Sequence, residues 1–146
     1  MKLKTLAEIF QEHKNPKSVI KQLTPEQALE KAKKKKKPNK YRNKWVVIDN
    51  INFQSEGEGY YWLDLKARMN NGEFREIKRQ VRFKLYAGDV YVREYVADFV
   101  TLDWNGNFQV IDYKSQFTAR LPTYQMKKQL MLACYGVVIM EPGLKK

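Results

Sequence analysis

Cysteine is almost absent: Cys134 stands alone among 146 residues. A single thiol excludes a disulfide framework and a cysteine-rich zinc site, and it suits a reducing compartment. Histidine is as scarce, with only His13, so a Ser-His or Cys-His nucleophile and a histidine-metal nuclease motif have little support. No apolar run approaches the roughly 18 residues that span a bilayer. The opening MKLKTLAEIF has neither a long apolar core nor a small-residue cleavage site, so no signal peptide is expected.

Positive charge is abundant. The net charge is +12, and it is unevenly placed. Residues 1–44 hold 14 Lys and Arg against 4 acids, whereas residues 45–146 hold 14 against 12. A near-neutral body with a strongly basic arm suits a polyanion: DNA, RNA or an anionic membrane. The plainer reading of such an arm is a solubilising, disordered segment. With 43% apolar and 13% aromatic residues, the body can bury a core and is not disordered by composition.

Leu3, Leu6 and Phe10 fall at helical spacing. Thr24-Pro25-Glu26-Gln27 reads as a helix start, with an N-cap, proline at the first position and glutamine at the third. That helix runs into Lys33–Lys37, which complement its C-terminal dipole, and Pro38-Asn39 stops it. A linker is placed at about 38–43, so residues 1–40 form a basic, partly helical extension and 41–146 the main domain. There, 45–49 and 51–54 read as short β segments, a possible hairpin through Asp49-Asn50. A helix follows over 55–70, with Ser55 as N-cap. Strands are predicted over 76–85, 91–102 and 108–114, the first with its alternation broken at Arg79. Residues 115–121 read as a loop, 122–133 as a helix and 135–140 as a last short strand. The fold class is α/β, a central mixed sheet flanked by helices.

Asp98 and Asp112 each interrupt an apolar strand, in Val96-Ala97-Asp98-Phe99-Val100 and Val110-Ile111-Asp112-Tyr113-Lys114. A carboxylate there is costly to bury unless paired or bound to a metal. Lys114, two residues after Asp112, shares its face with Phe108 and Val110. Register decides whether the aspartates meet. A two-residue Asn105-Gly106 turn pairs Asp98 with Tyr113 and separates them. A three- or five-residue loop centred on Asn105 sets them opposite each other, ~5 Å apart at Cβ. The odd-numbered loop is predicted, because a divalent cation with Lys114 nearby resolves the repulsion. Glu58 lies four residues before Trp62 and seven before Leu65, on the same helix face, so it is preferred to Glu56 as a third acid. It also fits a plain capping box, Ser55-Glu56-Gly57-Glu58. The plainer alternative sets the aspartates on an exposed edge strand, which their apolar neighbours on both sides disfavour, with Lys114 a simple partner to either. Oxygen-only ligands favour a hard cation, Mg2+ first and Mn2+ as substitute.

Glu58, Asp98 and Asp112-Tyr113-Lys114, in a helix, three strands, helix, strand order, resemble the PD-(D/E)XK nuclease pattern. Residues 41–141 also resemble a family of small bacteriophage nucleases. Lys40-Tyr41, Phe53-Gln54-Ser55, Tyr95-Val96-Ala97-Asp98-Phe99, and Tyr124 with Lys127-Lys128 are the landmarks. The proline of the family name is absent, since Ala97 precedes Asp98, and Gly57 and Gly59 flank Glu58. The resemblance implies a restriction-endonuclease-like αβββαβ core and a Mg2+-dependent DNA endonuclease. Asp98 and Asp112 would hold the metal, Glu58 would complete the site directly or through water, the Tyr113 carbonyl would add a ligand, and Lys114 would assist hydrolysis. It implies branched DNA or a Holliday junction as substrate, though duplex DNA and an exonuclease mode stay open. It also implies a homodimer, with the amphipathic N-terminal segment as its candidate interface, no membrane association, and the cytoplasm of a bacterial host to phage. Lys33, Lys34, Lys35, Lys36, Lys37, Lys40, Arg42 and Lys44 are candidate phosphate contacts, as are Tyr124, Lys127 and Lys128 beside the site. Arg79, Arg82, Lys84 and Arg93 either line a DNA groove or decorate an exposed strand. The rival expectations are a non-catalytic DNA-binding protein that keeps the fold and a subunit whose activity needs a partner.

Overall fold

The computed structural model describes residues 2–15 and 44–144. The predicted helix over Lys33–Lys37, with Lys40 and Arg42, lies outside the described residues. The chain forms two units, Met1–Pro16 with Tyr61–Lys146, and Lys17–Tyr60.

In the second unit, β1 (Val46–Ile48) and β2 (Ile51–Phe53) form the hairpin considered above, with Ile48 opposite Ile51. Asp49 and Asn50 have φ of 53° and 60°. A two-residue hairpin turn needs left-handed backbone at both positions, and Asp and Asn tolerate it best after glycine. Phe53 is fully buried. The helix α2 (Glu56–Asn70) begins here, and the Ser55 hydroxyl accepts from the Glu58 N–H at 3.2 Å. Gly59 has a packing reason: a Cβ there would lie 2.8 Å from Val46 Cγ1 and 2.9 Å from Ile48 Cδ1.

The first unit is built on an antiparallel sheet ordered β3 (Glu76–Ala87), β4 (Val90–Leu102), β5 (Phe108–Ile111). The Tyr61–Asn70 part of α2 covers one face, where Trp62 stacks on Phe99 with centroids 6.0 Å apart. The neighbouring residue Val100 faces the opposite way, into a core shared with Val81, Phe83, Leu85, Tyr95, Ala97 and Val110. That face is closed by Met131 and Tyr124 of α4 (Pro122–Tyr135) and by Phe10 of α1 (Leu6–Glu12). The unit is thus mixed α/β, a small three-stranded antiparallel sheet flanked by helices.

Of the predicted helical spacing, Leu6 and Phe10 fall in α1, whereas Leu3 precedes it and is exposed. The capping box of α1 joins the Thr5 hydroxyl to the Glu8 N–H and the Glu8 carboxylate to the Thr5 N–H. Phe10 is 1% exposed, edge-on to Phe108 at 5.2 Å and beneath the Lys78 amine. Beyond the helix, the Arg79 N–H donates to Asn15 Oδ1 and the Arg79 carbonyl is 2.7 Å from His13 Nε2.

The break at Arg79 has a structural cause. Lys78 and Val81 both face the α1 and α4 core, although residues three apart on a regular strand point oppositely. Ala97 and Val100 do the same on β4. The reversal falls at Gln80, whose φ is 53°, opposite Asp98 between the pairs Arg79–Phe99 and Val81–Ala97. Arg79 is consequently buried, its guanidinium 5.7 Å from the Trp62 ring centroid.

Three boundaries differ from the sequence expectation. The strand over 108–114 ends at Ile111. The predicted loop contains a short helix, α3 (Gln116–Ala119), because the Ser115 hydroxyl caps the Thr118 N–H. The last predicted strand, 135–140, shrinks to a single parallel bridge from Met140 to Ile111. There α4 continues through Tyr135 until Gly136 (φ 66°) caps it, a stop signal that overrides the β-branched run Val137–Ile139. The expected mixed sheet is therefore antiparallel in its described strands and parallel only at that bridge. No described helix is long and apolar enough to cross a membrane.

Candidate functional site

β4 and β5 pair Phe99 with Ile111 and Leu102 with Phe108, leaving the five-residue loop 103–107, the odd-numbered class. Asp103 organises it, accepting from the Asn105 and Asn107 N–H groups at 2.9 and 2.8 Å. Continuing the register by one residue sets Asp98 opposite Asp112. Bare carboxylates ~5 Å apart repel by about 3 kcal/mol at an effective dielectric of about 20, so compensation is required.

Lys114 supplies it. Its amine is ion-paired with Asp112 Oδ1 and lies 3.9 Å from Asp98 Oδ2. Asp112, 1% exposed, also accepts from the Tyr95 hydroxyl at 2.9 Å. Asp98 accepts from the Tyr113 N–H at 2.8 Å and from Gln80 Nε2 at 3.4 Å. Burial first, then the Asp112 charge, pushes the Tyr95 phenol well above its ordinary value, so it stays a proton donor to the carboxylate.

The support behind Lys114 is aromatic and glycyl. Its amine lies 5.5 Å from the Tyr124 ring centroid, and Lys128 Nζ lies 5.9 Å from the same centroid. Lys128 is itself paired with Glu141 Oε2 at 2.6 Å. A Cβ at Gly143 would run into the Lys114 carbonyl oxygen, so only glycine permits that close approach. The parallel bridge fixes the same stretch: the Asp112 N–H donates to the Met140 carbonyl at 2.9 Å.

The structure therefore brings together Asp98, Asp112, Tyr113, Lys114, Tyr124 and Lys128. Tyr124 is only 6% exposed and supports the lysines from inside. Lys127 is half-buried. Glu58 is buried in the second unit, in the first turn of α2, and Lys44 is exposed in that unit. Arg82 is paired with Glu94 at 2.6 Å. Among the described residues, no three or more His, Cys, Asp or Glu side chains form a group that could hold a metal ion.

Tyr95 and Glu141 escape a reading from sequence. Strict alternation places Tyr95 on the face opposite Asp98, and only the reversal at Gln80 brings its hydroxyl to the acids. Glu141 precedes Pro142-Gly143 and reads as the end of a strand.

An opposed carboxylate pair bridged by lysine on a small α/β sheet defines a candidate hard-cation or phosphate site. The chain belongs to the DUF1064 family, described as a protein of unknown function, whose model matches residues 38–141. No curated protein and no solved structure matches the chain.

Proposed function

We propose that this chain is a metal-dependent DNA endonuclease that hydrolyses phosphodiester bonds, with branched DNA such as a four-way junction as its first-choice substrate. The observation that carries the reading is the Asp98–Asp112 pair, opposed across two strands and spanned by Lys114. The order of α2, three antiparallel strands, α4 and a parallel return segment supports a restriction-endonuclease-like core.

The donor set fits a hard cation: two carboxylates and the Tyr113 carbonyl are all oxygen, with no histidine or cysteine in the cluster. Asp98, Asp112 and Tyr113 would hold Mg2+, or Mn2+ in its place, and such an ion supplies Lewis-acid polarisation of a phosphate oxygen and a more acidic water. Lys114 stabilises charge that builds on the phosphate oxygens. Tyr95 donates to Asp112 and fixes its orientation. Lys127 and Lys128 bind flanking phosphates, and the basic stretch Lys33–Lys37 with Lys40, Arg42 and Lys44 adds sequence-independent affinity. Glu58 is the further acid of this reading. A homodimer in the cytoplasm of a phage-infected bacterium accompanies it, because symmetric cutting of two strands needs two sites.

Cleavage of labelled linear duplex, single strand, flap and four-way junction, with Mg2+, Mn2+ or EDTA, tests the proposal. Metal-dependent cutting that Asp112→Asn lowers by at least about 10²-fold is expected, with a smaller loss for Glu58→Gln. Wild-type protein that binds every DNA and cuts none would overturn it. One observation favours a second reading, a partner-dependent or non-catalytic DNA-binding protein: no third acid completes the pair as a metal-holding group among the described residues.

A further inference from the structure

The aspartate cluster contains an ion pair that the proposed chemistry does not use. Glu141 follows Met140, the residue bridged to β5, and its Oε2 accepts from Lys128. The Glu141 side chain is 12% exposed. Its other oxygen, Oε1, is buried with no hydrogen-bond partner among the described residues, and so is the hydroxyl of Tyr124. Burial, then Asp112 and Glu141, push the Tyr124 phenol well above its ordinary range. The hydroxyl thus lies close to both carboxylates. A buried polar atom that nothing satisfies is destabilising, and a bound water or ion is a common reason for one to persist. The two ion pairs, Lys114–Asp112 and Lys128–Glu141, also share the Tyr124 ring. Tyr124 thus links the ion pair at Asp112 to the ion pair at Glu141.

We infer that Glu141 is a further acid of this site, a positioning residue that joins the Asp98–Asp112 pair through water and the Tyr124 hydroxyl. The inference rests on the divalent-cation reading above. Among the described residues no three acids form a group that could hold a metal ion, so Glu141 is assigned a place behind the aspartates rather than on the cation. An outer carboxylate would instead accept hydrogen bonds from water held at the aspartates, and the phenol would donate its one proton to such a water or to one of the acids. Removing such outer partners typically lowers metal affinity 10–100-fold.

Titration calorimetry with Mn2+, without nucleic acid, tests this on the full chain. Wild type should bind and Asp112→Asn should not. Glu141→Gln and Tyr124→Phe should each weaken binding about 10-fold or more. Unchanged affinity in Glu141→Gln, with binding lost in Asp112→Asn, overturns the inference and leaves the metal reading intact: Glu141 then serves only to hold Lys128. A wild type that binds neither Mn2+ nor Mg2+ removes both. Thermal melts accompany each variant. If Glu141→Gln fails to fold, Tyr124→Phe decides alone, because it breaks no ion pair, and wild-type affinity there overturns the inference.

Discussion

Lys114 neutralises two carboxylates at once, and this makes the cluster's stability depend on one amine. Lys114→Met leaves Asp98 and Asp112 opposed without a cation. Breaking a fully buried pair costs about 3–5 kcal/mol. With Lys114 26% exposed, a loss of about 1–3 kcal/mol in urea melts is expected. Mn2+ should then raise the melting temperature of Lys114→Met more than that of wild type, because the ion substitutes for the missing charge. An equal rise in both proteins would count against a cation between these aspartates.

Tyr135 gives a pH signature. Its hydroxyl donates to the Lys84 carbonyl at 2.7 Å, and burial pushes its pKa from 10.0 up to about 12. The folded chain holds this proton to higher pH than the unfolded chain. Its contribution is therefore fully present below about pH 10 and is lost as pH climbs towards 12. Tyr135→Phe should lower stability at pH 7 by about 1 kcal/mol and flatten the loss between pH 10 and 12 in denaturation curves. An alkaline limb as steep as that of wild type would place the titration elsewhere.

At the scale of elements, the turn after Met140 sets the backbone of the Asp112–Lys114 segment. Gly143→Ala drives a Cβ into the Lys114 carbonyl. A loss of about 1–3 kcal/mol is expected, as for other overpacked positions, with weaker pairing of Lys114 to the aspartates. A melt unchanged from wild type would mean that the turn can move aside freely.

Elements with strong local signals were legible from the residues alone. Ser55, Pro122 and the Asp49-Asn50 turn all mark ends that the structure has. Register was legible too, because burying two aspartates in apolar strands makes sense only if they meet, and that demanded an odd loop at Asn105. What stayed hidden depends on contacts across the sheet. Nothing local announces that Gln80 adopts a left-handed φ, so neither the burial of Arg79 nor the reach of Tyr95 to Asp112 could be read. Val137–Ile139 looks like a strand, and only the Gly136 cap and the single Met140 bridge decide otherwise.

For the whole molecule, charge is the dominant variable. The +12 excess comes mostly from residues 1–44, while the acidic pair lies on the near-neutral remainder. If the chain binds DNA, log affinity should fall linearly with log salt, by about 0.9 per phosphate neutralised. Replacing Lys33, Lys34, Lys35, Lys36 and Lys37 with alanine should make that slope shallower by up to about 4.5. It should leave the fold of the first unit untouched. A slope that does not change would assign binding to other lysines, Lys127 and Lys128 first.

The contacts of His13 and Asn15 with Arg79 bear on colloidal behaviour. β3 is an outer strand of its sheet, and outer strands offer unpaired N–H and C=O groups as templates for intermolecular pairing. Asn15 occupies the Arg79 N–H, His13 meets its carbonyl, and Phe10 anchors the segment in the core. Residues 2–15 thus guard that border at Arg79. Deleting them should yield a protein that precipitates or forms high-mass species in light scattering at concentrations where the intact chain stays dispersed, despite its retained positive charge.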